Sequence, residues 1–393
     1  QALALQGHLP PAAQALLTTQ AIHRALEAHL LYASGEHYRI TASGELVIVS
    51  QATGRDLAGQ RWEEGLAQAV EAKEGIAIKG ENRAYAKIGV RNLVRNEYQA
   101  FSGMSGTVDQ SMARREFKKL YGKDVVAVPS HYDKQREIRP PSFFLTPQAK
   151  FAHLADRAVA LIRTTGGAPL LVTVRTMKEA RLLHQMIQQR LAQGAATSVN
   201  LQLLDASIEA EEAKIVESAG KLHTITVATN MAGRATDVKL SPEAAAAGGL
   251  QLLYEINRTS REDAQNRGRT ARQNDPGAVE LSLALDGADW DLAREGLYYK
   301  GGFWGLLGRV LGRAETLRNR YLALASQAAR TPAEQQQLEA LAQRLEQVFQ
   351  QAQRNIERVE FKQRVRSARY QHREYQLFKR FLSLFNDLWR HLG

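Results

Sequence analysis

The 393-residue sequence contains no cysteine, so disulfides and thiolate metal sites are excluded. That absence fits a reducing compartment. Its ten histidines never fall into an H-x-x-x-H or H-E-x-x-H pairing, and no serine–histidine–aspartate grouping can be assembled. No apolar run approaches the ~18 residues that span a bilayer. The chain begins with Gln1 rather than Met and shows no signal-peptide pattern, so it reads as a piece of a longer protein or a trimmed one. G-x-x-x-x-G-K-S/T occurs nowhere: Gly220-Lys221 is followed by Leu222 and lacks the upstream glycine. No expected strand ends in an adjacent Asp–Glu pair that could hold Mg2+. A phosphate cradle and its metal acid are therefore missing from this sequence. Negative charge is the minor sign, 41 acidic residues against 52 basic, and the net +11 asks for nucleic acid, acidic lipid or an acidic protein face.

What is present is ordinary for a soluble globular protein, 44% hydrophobic and 24% charged, with length for two or three domains at ~150 residues each. Leu16, Leu17, Ile22, Leu26 and Leu30 recur at helical spacing over residues 11–33. Two alternating runs in YRITASGELVIVS flank Ala42-Ser43-Gly44 and predict a hairpin. An amphipathic helix follows in WEEGLAQAVEAKEG, with Trp62 as a packing anchor and Arg61 as its charged neighbour. From about 115 to 285 strands and helices alternate. The expected strands are Val125–Val128, Leu170–Val174, Val199–Leu204, Thr224–Ala228, Leu250–Ile256 and Val279–Leu285. They do not alternate in polarity, as befits strands buried on both faces. The expected helices are Pro147–Ile162, Met177–Ala192, Ile208–Ser218 and Ser260–Ala271. This rhythm predicts a parallel α/β sheet whose ligands sit beyond the carboxyl ends of its strands.

The chemistry concentrates between His223 and Gly277. A buried strand opens into a loop with Gly233, Arg234, Thr236 and Asp237. A helix then carries Gln265, Arg269 and Arg272, the two arginines one turn apart on one face. A loop aspartate at a strand end with two arginines nearby suits a polyphosphate held with its metal. The carboxylate can orient water or ribose, and the arginines can neutralise charge that builds during γ-phosphoryl transfer. Arg175 and Lys178, after the strand Leu170–Val174, face a cleft or open a solvated helix.

Past Asp286 the pattern becomes helical, with Trp290, Tyr298, Tyr299, Phe303 and Trp304 in a Gly-broken segment. Thr331, Pro332 and Glu334 mark the start of a helix that runs towards Leu392. Its stripe of Leu338, Leu341, Leu345 and Phe349 reads as packing against a partner helix. From Arg354 onward this helix has ten basic residues against four acidic ones, 10 − 4 = +6, over half the net charge of the chain.

ATNMAGRATD resembles the fifth helicase-type motif of the SecA preprotein-translocase ATPases, and QNRGRTARQNDPG resembles their sixth. GRDLAGQRWEEGLAQAVEAKEG and FSGMSGTVDQ are similar to family segments upstream of the second motor lobe. The resemblance covers roughly residues 15 to 285, in order. It implies an α/β fold of the RecA-like, superfamily-2 helicase type. The implied domains are 1–58, part of the preprotein-crosslinking domain; 59–107, the end of the first motor lobe and its hinge; 108–286, the second lobe; and 287–393, a basic helical scaffold.

The same resemblance implies ATP with Mg2+ bound between two lobes and no metal held by this chain. Arg269, Arg272 and Gln265 would be catalytic, the arginines as fingers, and Gly233, Arg234, Thr236 and Asp237 would contact the nucleotide. The implied partners are an unfolded preprotein, the membrane protein-conducting channel and an anionic phospholipid surface, with a cytoplasmic location peripheral at the inner membrane. Nucleic acid is not an expected partner. Because Walker A and Walker B are missing, the chain alone is expected to be inactive. Three positions depart from the family: Ala235, Ala271 and Asn274 stand where glycine is usual, and an added Cβ could block a positive φ. The scaffold departs too, with RSARYQHREYQLFKRF in place of an acidic stretch. A superfamily-2 nucleic-acid motor and a non-hydrolysing adaptor of the export channel are the competing readings.

Overall fold

A computed structural model describes residues 11–34, 37–41, 43–50, 56–57, 59–80, 88–107, 111–193, 198–204, 209–230, 237–298, 304–327 and 329–392. The chain opens with a helix-and-hairpin unit. Helix α1 (Pro11–Leu30) leads to β1 (Tyr38–Ile40) and β2 (Leu46–Ile48), paired antiparallel with Arg39 opposite Val47. Helix α2 (Leu66–Lys73) closes the unit. Tyr38 is fully buried among Ala28, Leu66 and Val70. Trp62 stands edge-on to Tyr32 and Tyr38, its ring centroid 4.7 and 6.0 Å from theirs. Arg61 forks the buried Glu71 at 2.6 and 2.7 Å. The anchor and its charged neighbour are thus where the sequence put them.

Two short helices follow, α3 (Val90–Asn96) and α4 (Ser111–Tyr121). Gly103–Thr107 between them forms no helix or strand. The expected strand Val125–Val128 does not form. Val126 and Val128 are 82% and 85% exposed. Pro129 closes the run, and no neighbouring strand offers a ladder. The sheet edge is built instead by β3 (Arg136–Ile138) and β4 (Ser142–Phe144), two three-residue strands too short for pattern to find.

The central layer then builds in order. Helix α5 (Pro147–Thr164) precedes β5 (Leu170–Val174), α6 (Met177–Ala192) precedes β6 (Asn200–Leu204), and α7 (Glu209–Ser218) precedes β7 (Thr224–Thr229). Helix α8 (Pro242–Ala246), β8 (Leu250–Glu255), α9 (Ser260–Arg267) and β9 (Gly277–Ala284) complete it. The strand order is β3-β9-β8-β5-β7-β6, β4 also pairs with β9, and every pairing is parallel. Strands β5, β7 and β8 are buried at every residue. Leu154, Ala158, Leu183 and Ile187 of α5 and α6 cover one face. Ile215 and Val216 of α7, with Val238 and Leu240, cover the other. This is the doubly covered parallel sheet of a RecA-like lobe. Thr146 caps α5 and Thr176 closes a capping box with Glu179 on α6, which fixes both helix starts.

Helix α9 stops four residues before the expected Ala271. Gly268 caps it, and beyond that Ala271, Gln273 and Asn274 take positive φ values of 54°, 48° and 73°. Thr270 is drawn inward, its Oγ1 donating to the carbonyl of Leu250 at 2.7 Å, which a continuing helix could not allow. Gly277 is required here because a Cβ would lie 2.0 Å from Thr270 Oγ1.

The remainder is helical: α10 (Gly287–Tyr298), α11 (Trp304–Ala325) and α12 (Pro332–Leu392). Thr331 and Glu334 exchange hydrogen bonds at 2.7 and 3.3 Å across the start of α12. Leu341, Leu345, Phe349 and Ile356 of α12 pack against Trp290, Leu297, Ala314, Tyr321 and Leu324. At 1.5 Å per residue α12 is roughly 90 Å long, and it packs against α3, α4, α9, α10 and α11. Among the described residues no helix is long and apolar enough to cross a membrane.

Candidate functional site

Strand β7 carries the chain to Asn230, beyond the carboxyl edge of the sheet, where ligands of such folds bind. The Asn230 amide donates to the carbonyl of Val174, fixing it next to the end of β5. Its side-chain oxygen accepts from Asn266 Nδ2 at 3.0 Å, and Asn266 also donates to Thr173 Oγ1 at 2.8 Å. Buried Asn266 therefore ties α9 to two strand ends at once. Gly233, Arg234, Ala235 and Thr236 lie outside the described residues; the chain is described again at Asp237.

The two arginines meet the two ends of that segment. Arg269 Nη2 donates to the carbonyl of Asn230 at 2.6 Å. Arg272 Nη1 donates to Asp237 Oδ1 at 2.6 Å, while its Nε donates to the carbonyl of Gly268 at 2.8 Å. Sequence spacing placed them on one helical face; the structure converges them by a turn instead. The residues after Gly268 reverse direction, so Arg269 reaches back and Arg272 reaches across. Ala271 and Asn274, two of the glycine departures, hold the left-handed angles of that turn.

The surroundings are electropositive. Arg136 donates to the carbonyl of Thr270 at 2.7 Å. Its guanidinium is held below the usual arginine range, first by burial and then by repulsion from Arg267 and Arg272. Arg136, Arg267, Arg269 and Arg272 thus lie about this turn, with Asp237 answering Arg272 and the Asp263 carboxylate near Arg267. The Arg272–Asp237 pair is itself open, with each side chain about two-fifths exposed. At such exposure it contributes only ~0–1 kcal/mol to stability.

Gln265 points elsewhere. It lines a cavity of about 260 Å3 between α4, α9 and α12, bordered by Glu116, Arg261, Glu357 and Arg364. Helix α12 clasps α9 beside that cavity. Glu357 Oε1 accepts from the amide and hydroxyl of Ser260 at 2.7 and 2.6 Å, serving as a cap delivered from another helix. Gln353 Nε2 donates to Asp263 Oδ2 at 2.7 Å, and Asn257 donates twice to Asp263 Oδ1. Burial pushes the Asp263 carboxyl up, against these donors, which hold it down.

Arg175, read as facing a cleft or solvent, turns into a buried charge network. Lys150 Nζ lies 2.6 Å from Glu255 Oε2 and 2.8 Å from Asp289 Oδ2, and Arg175 Nη1 donates to Asp289 Oδ1 at 2.6 Å. The Arg175 and Ala284 amides complete the shell at 2.5 and 2.8 Å. Burial raises the Glu255 carboxyl, while Lys150 and Arg175 pull it back. Burial works to lower the Lys150 ammonium, and Glu255 and Asp289 outweigh it and raise it. Sequence reading missed this network and the α12 clasp. One signal was available: Glu255 ends a mostly apolar run, and a carboxylate buried there must have a partner.

Comparison with known proteins converges on one family. The model of the SecA preprotein cross-linking domain matches residues 4–71, and that of the SecA P-loop domain matches residues 133–247. A protein translocase subunit SecA from Cytophaga hutchinsonii is 37% identical over 266 residues, 67% of this chain and 23% of that one. Its counterpart in Amoebophilus asiaticus is 38% identical over 68% of this chain and 23% of that one, and the Clostridium botulinum protein is 36% identical over 67% and 30%. The chain thus spans less than a third of the length of these curated relatives. A solved structure titled Mss116p DEAD-box helicase domain 2 bound to an RNA duplex aligns at TM-score 0.33 and 13% identity, over 49% of this chain and 75% of that one, a likeness too low to argue from. Over the two thirds of its length that the SecA proteins match, the chain belongs to the SecA protein-translocase family.

Proposed function

We propose that this chain supplies the second nucleotide-binding lobe of an ATP-driven preprotein translocase, together with part of its polypeptide clamp. The reading divides the chain at 1–58, 59–107, 108–286 and 287–393, as crosslinking segment, end of the first lobe with its hinge, second lobe and helical scaffold. The observation that carries it is the pair of arginines bracketing the Asn230–Asp237 segment at 2.6 Å each.

The donor set suits phosphate charge. Arg269 and Arg272 would act as fingers, neutralising charge on a γ-phosphoryl group presented from the facing lobe. To do so Arg272 exchanges Asp237 for phosphate, which frees the carboxylate to orient water or a ribose hydroxyl. Gly233, Arg234 and Thr236 complete the nucleotide contacts. Among the described residues no group of three His, Asp or Glu could hold a metal, and on this reading Mg2+ would come with the nucleotide from the facing lobe. Gln265 would couple the site to α4 and α12 rather than touch the phosphates. Movement of the lobe would shift the clamp on an unfolded preprotein, at a channel and an anionic lipid surface on the cytoplasmic side of the inner membrane.

The test is a labelled-ATP titration of the chain alone and in its full-length protein. The chain alone is expected to show no Mg2+-dependent turnover. Micromolar ATP affinity with turnover by the isolated chain would overturn the reading. Salt-resistant RNA or DNA binding that stimulates hydrolysis would favour a nucleic-acid motor instead.

A further inference from the structure

A second cationic site lies far along the chain from the first, on the hairpin of α11 and α12. Gly312, Arg313, Thr316, Leu317 and Arg320 of α11 and Arg344 of α12 line an open groove of about 590 Å3. The two helices pack through Ala314, Tyr321 and Leu324 against Leu341 and Leu345. Among the described residues no acidic side chain lines the groove.

The missing negative charge follows from how each helix is turned. Glu315 is the single acidic residue of α11. At ~100° per residue it projects from the side opposite Arg313 and Arg320. There it is engaged: its Oε1 accepts from Trp290 Nε1 at 3.1 Å, and Arg318 and Arg294 lie 3.4 and 3.7 Å from its carboxylate. On α12, Glu339 and Glu346 lie well round the helix from Arg344 and accept from Gln335 and Gln350. Ala340 and Gln347, one turn either side of Arg344, are neutral. Thr316 spends its hydroxyl hydrogen on the carbonyl of Gly312, at 2.7 Å. Arg313, Arg320 and Arg344 make no ion pair or hydrogen bond among the described residues. Several arginines of the sheet lobe are answered. Arg157 is held by Glu280, Arg190 by Asp156 and Arg258 by Glu295.

We propose that this groove binds an extended phosphate-bearing anion, a chain of linked phosphates rather than a single one. Arg313 and Arg320 stand two turns apart on α11, ~10.5 Å along the axis. That spacing lets each guanidinium fork a different phosphate, with Arg344 closing from the facing helix. A groove of this size falls in the range of small-ligand sites, ~300–1,000 Å3. The site is independent of the nucleotide reading, because none of its residues belongs to the Asn230–Asp237 cluster.

The experiment uses inorganic tripolyphosphate without Mg2+, titrated calorimetrically into the chain at physiological salt, with orthophosphate, sulfate and anionic-lipid vesicles as further arms. The expected result is saturable tripolyphosphate binding, at least tenfold tighter than orthophosphate or sulfate, and weakened at least tenfold in Arg320→Gln and in Arg344→Gln. Preference for the vesicles over tripolyphosphate, lost in the same variants, would identify separate lipid headgroups rather than linked phosphates as the ligand and overturn the proposal. As a readout on the unaltered protein, tripolyphosphate should protect Arg313, Arg320 and Arg344 from phenylglyoxal, mapped by mass spectrometry. Binding unchanged in the variants, binding no tighter than sulfate, or absence of protection at these three residues would overturn the proposal.

Discussion

The carboxyl edge of the sheet holds two charged clusters built on opposite plans. At the ends of β5, β8 and β9, Lys150 and Arg175 meet Glu255 and Asp289, with Glu179 beside Arg175, and Lys150, Glu255 and Asp289 are each at most 1% exposed. At the end of β7, Arg136, Arg267, Arg269 and Arg272 crowd together with Asp237 as the carboxylate that meets Arg272, and the pair stays open to solvent. Both contain charged hydrogen bonds of 2.6 Å. What separates them is access. The buried cluster is closed to solvent at Lys150, Glu255 and Asp289. The open one holds a pair, Arg272 and Asp237, weak enough to exchange.

Substitution should separate the two by readout. The largest effect is expected at the open cluster and on rate alone. In the full-length protein, Arg272→Ala should lower ATP turnover by ~10³–10⁵ and shift the urea midpoint little; turnover within tenfold of the parent would remove the finger. Next comes the sealed cluster, on stability alone. Lys150→Met leaves buried Glu255 and Asp289 with Arg175 as their remaining cation, at a cost of ~3–5 kcal/mol, to be read by urea denaturation. A loss below 1 kcal/mol would show that water reaches them.

A pH series sharpens the contrast using a third carboxylate. Glu280 on β9 is buried, which would raise its pKa, but His153, Arg157 and Arg139 outweigh burial and hold it below the usual value of 4.5. A depressed carboxylate lends stability above its unfolded pKa and loses it as pH falls through the folded one. The parent should therefore exceed Glu280→Gln in stability at pH 6, with the gap closing below pH 4.5. A gap that stays constant to pH 3 would contradict that. The smallest effect is expected in the turn behind the open cluster. Ala271→Gly removes a left-handed alanine at φ 54° and should stabilise by about 1 kcal/mol at most; destabilisation would mean the angle is not strained.

How far the sequence could be read depended on whether a feature was local. Met177–Ala192 and Pro332–Leu392 were found to the residue, because Thr176 with Glu179 and Thr331 with Glu334 mark their starts. The buried strands stood out as continuous apolar runs. Val125–Val128 had the same look and is no strand, since a run of valines becomes one only where a partner offers a ladder. The site was half legible. Arg269, Arg272 and Asp237 were singled out by motif, and two of the altered glycine positions sit at positive φ. How the arginines reach the loop was not legible, because it depends on Thr270 finding the carbonyl of Leu250, 20 residues away. The grip of Gln353 and Glu357 on α9 spans 90 and 97 residues, beyond any local pattern.

That grip gives the long C-terminal helix a mechanical meaning. A rod roughly 90 Å long, seated near its middle on the segment that leads into the arginines, behaves as a lever. A tilt of about 2° about that seat would carry the tip, roughly 50 Å away, through about 2 Å, while the seat itself barely moves. Small displacements at the arginine turn would thus be enlarged at the far end, and a load applied there would press back on the same two guanidiniums.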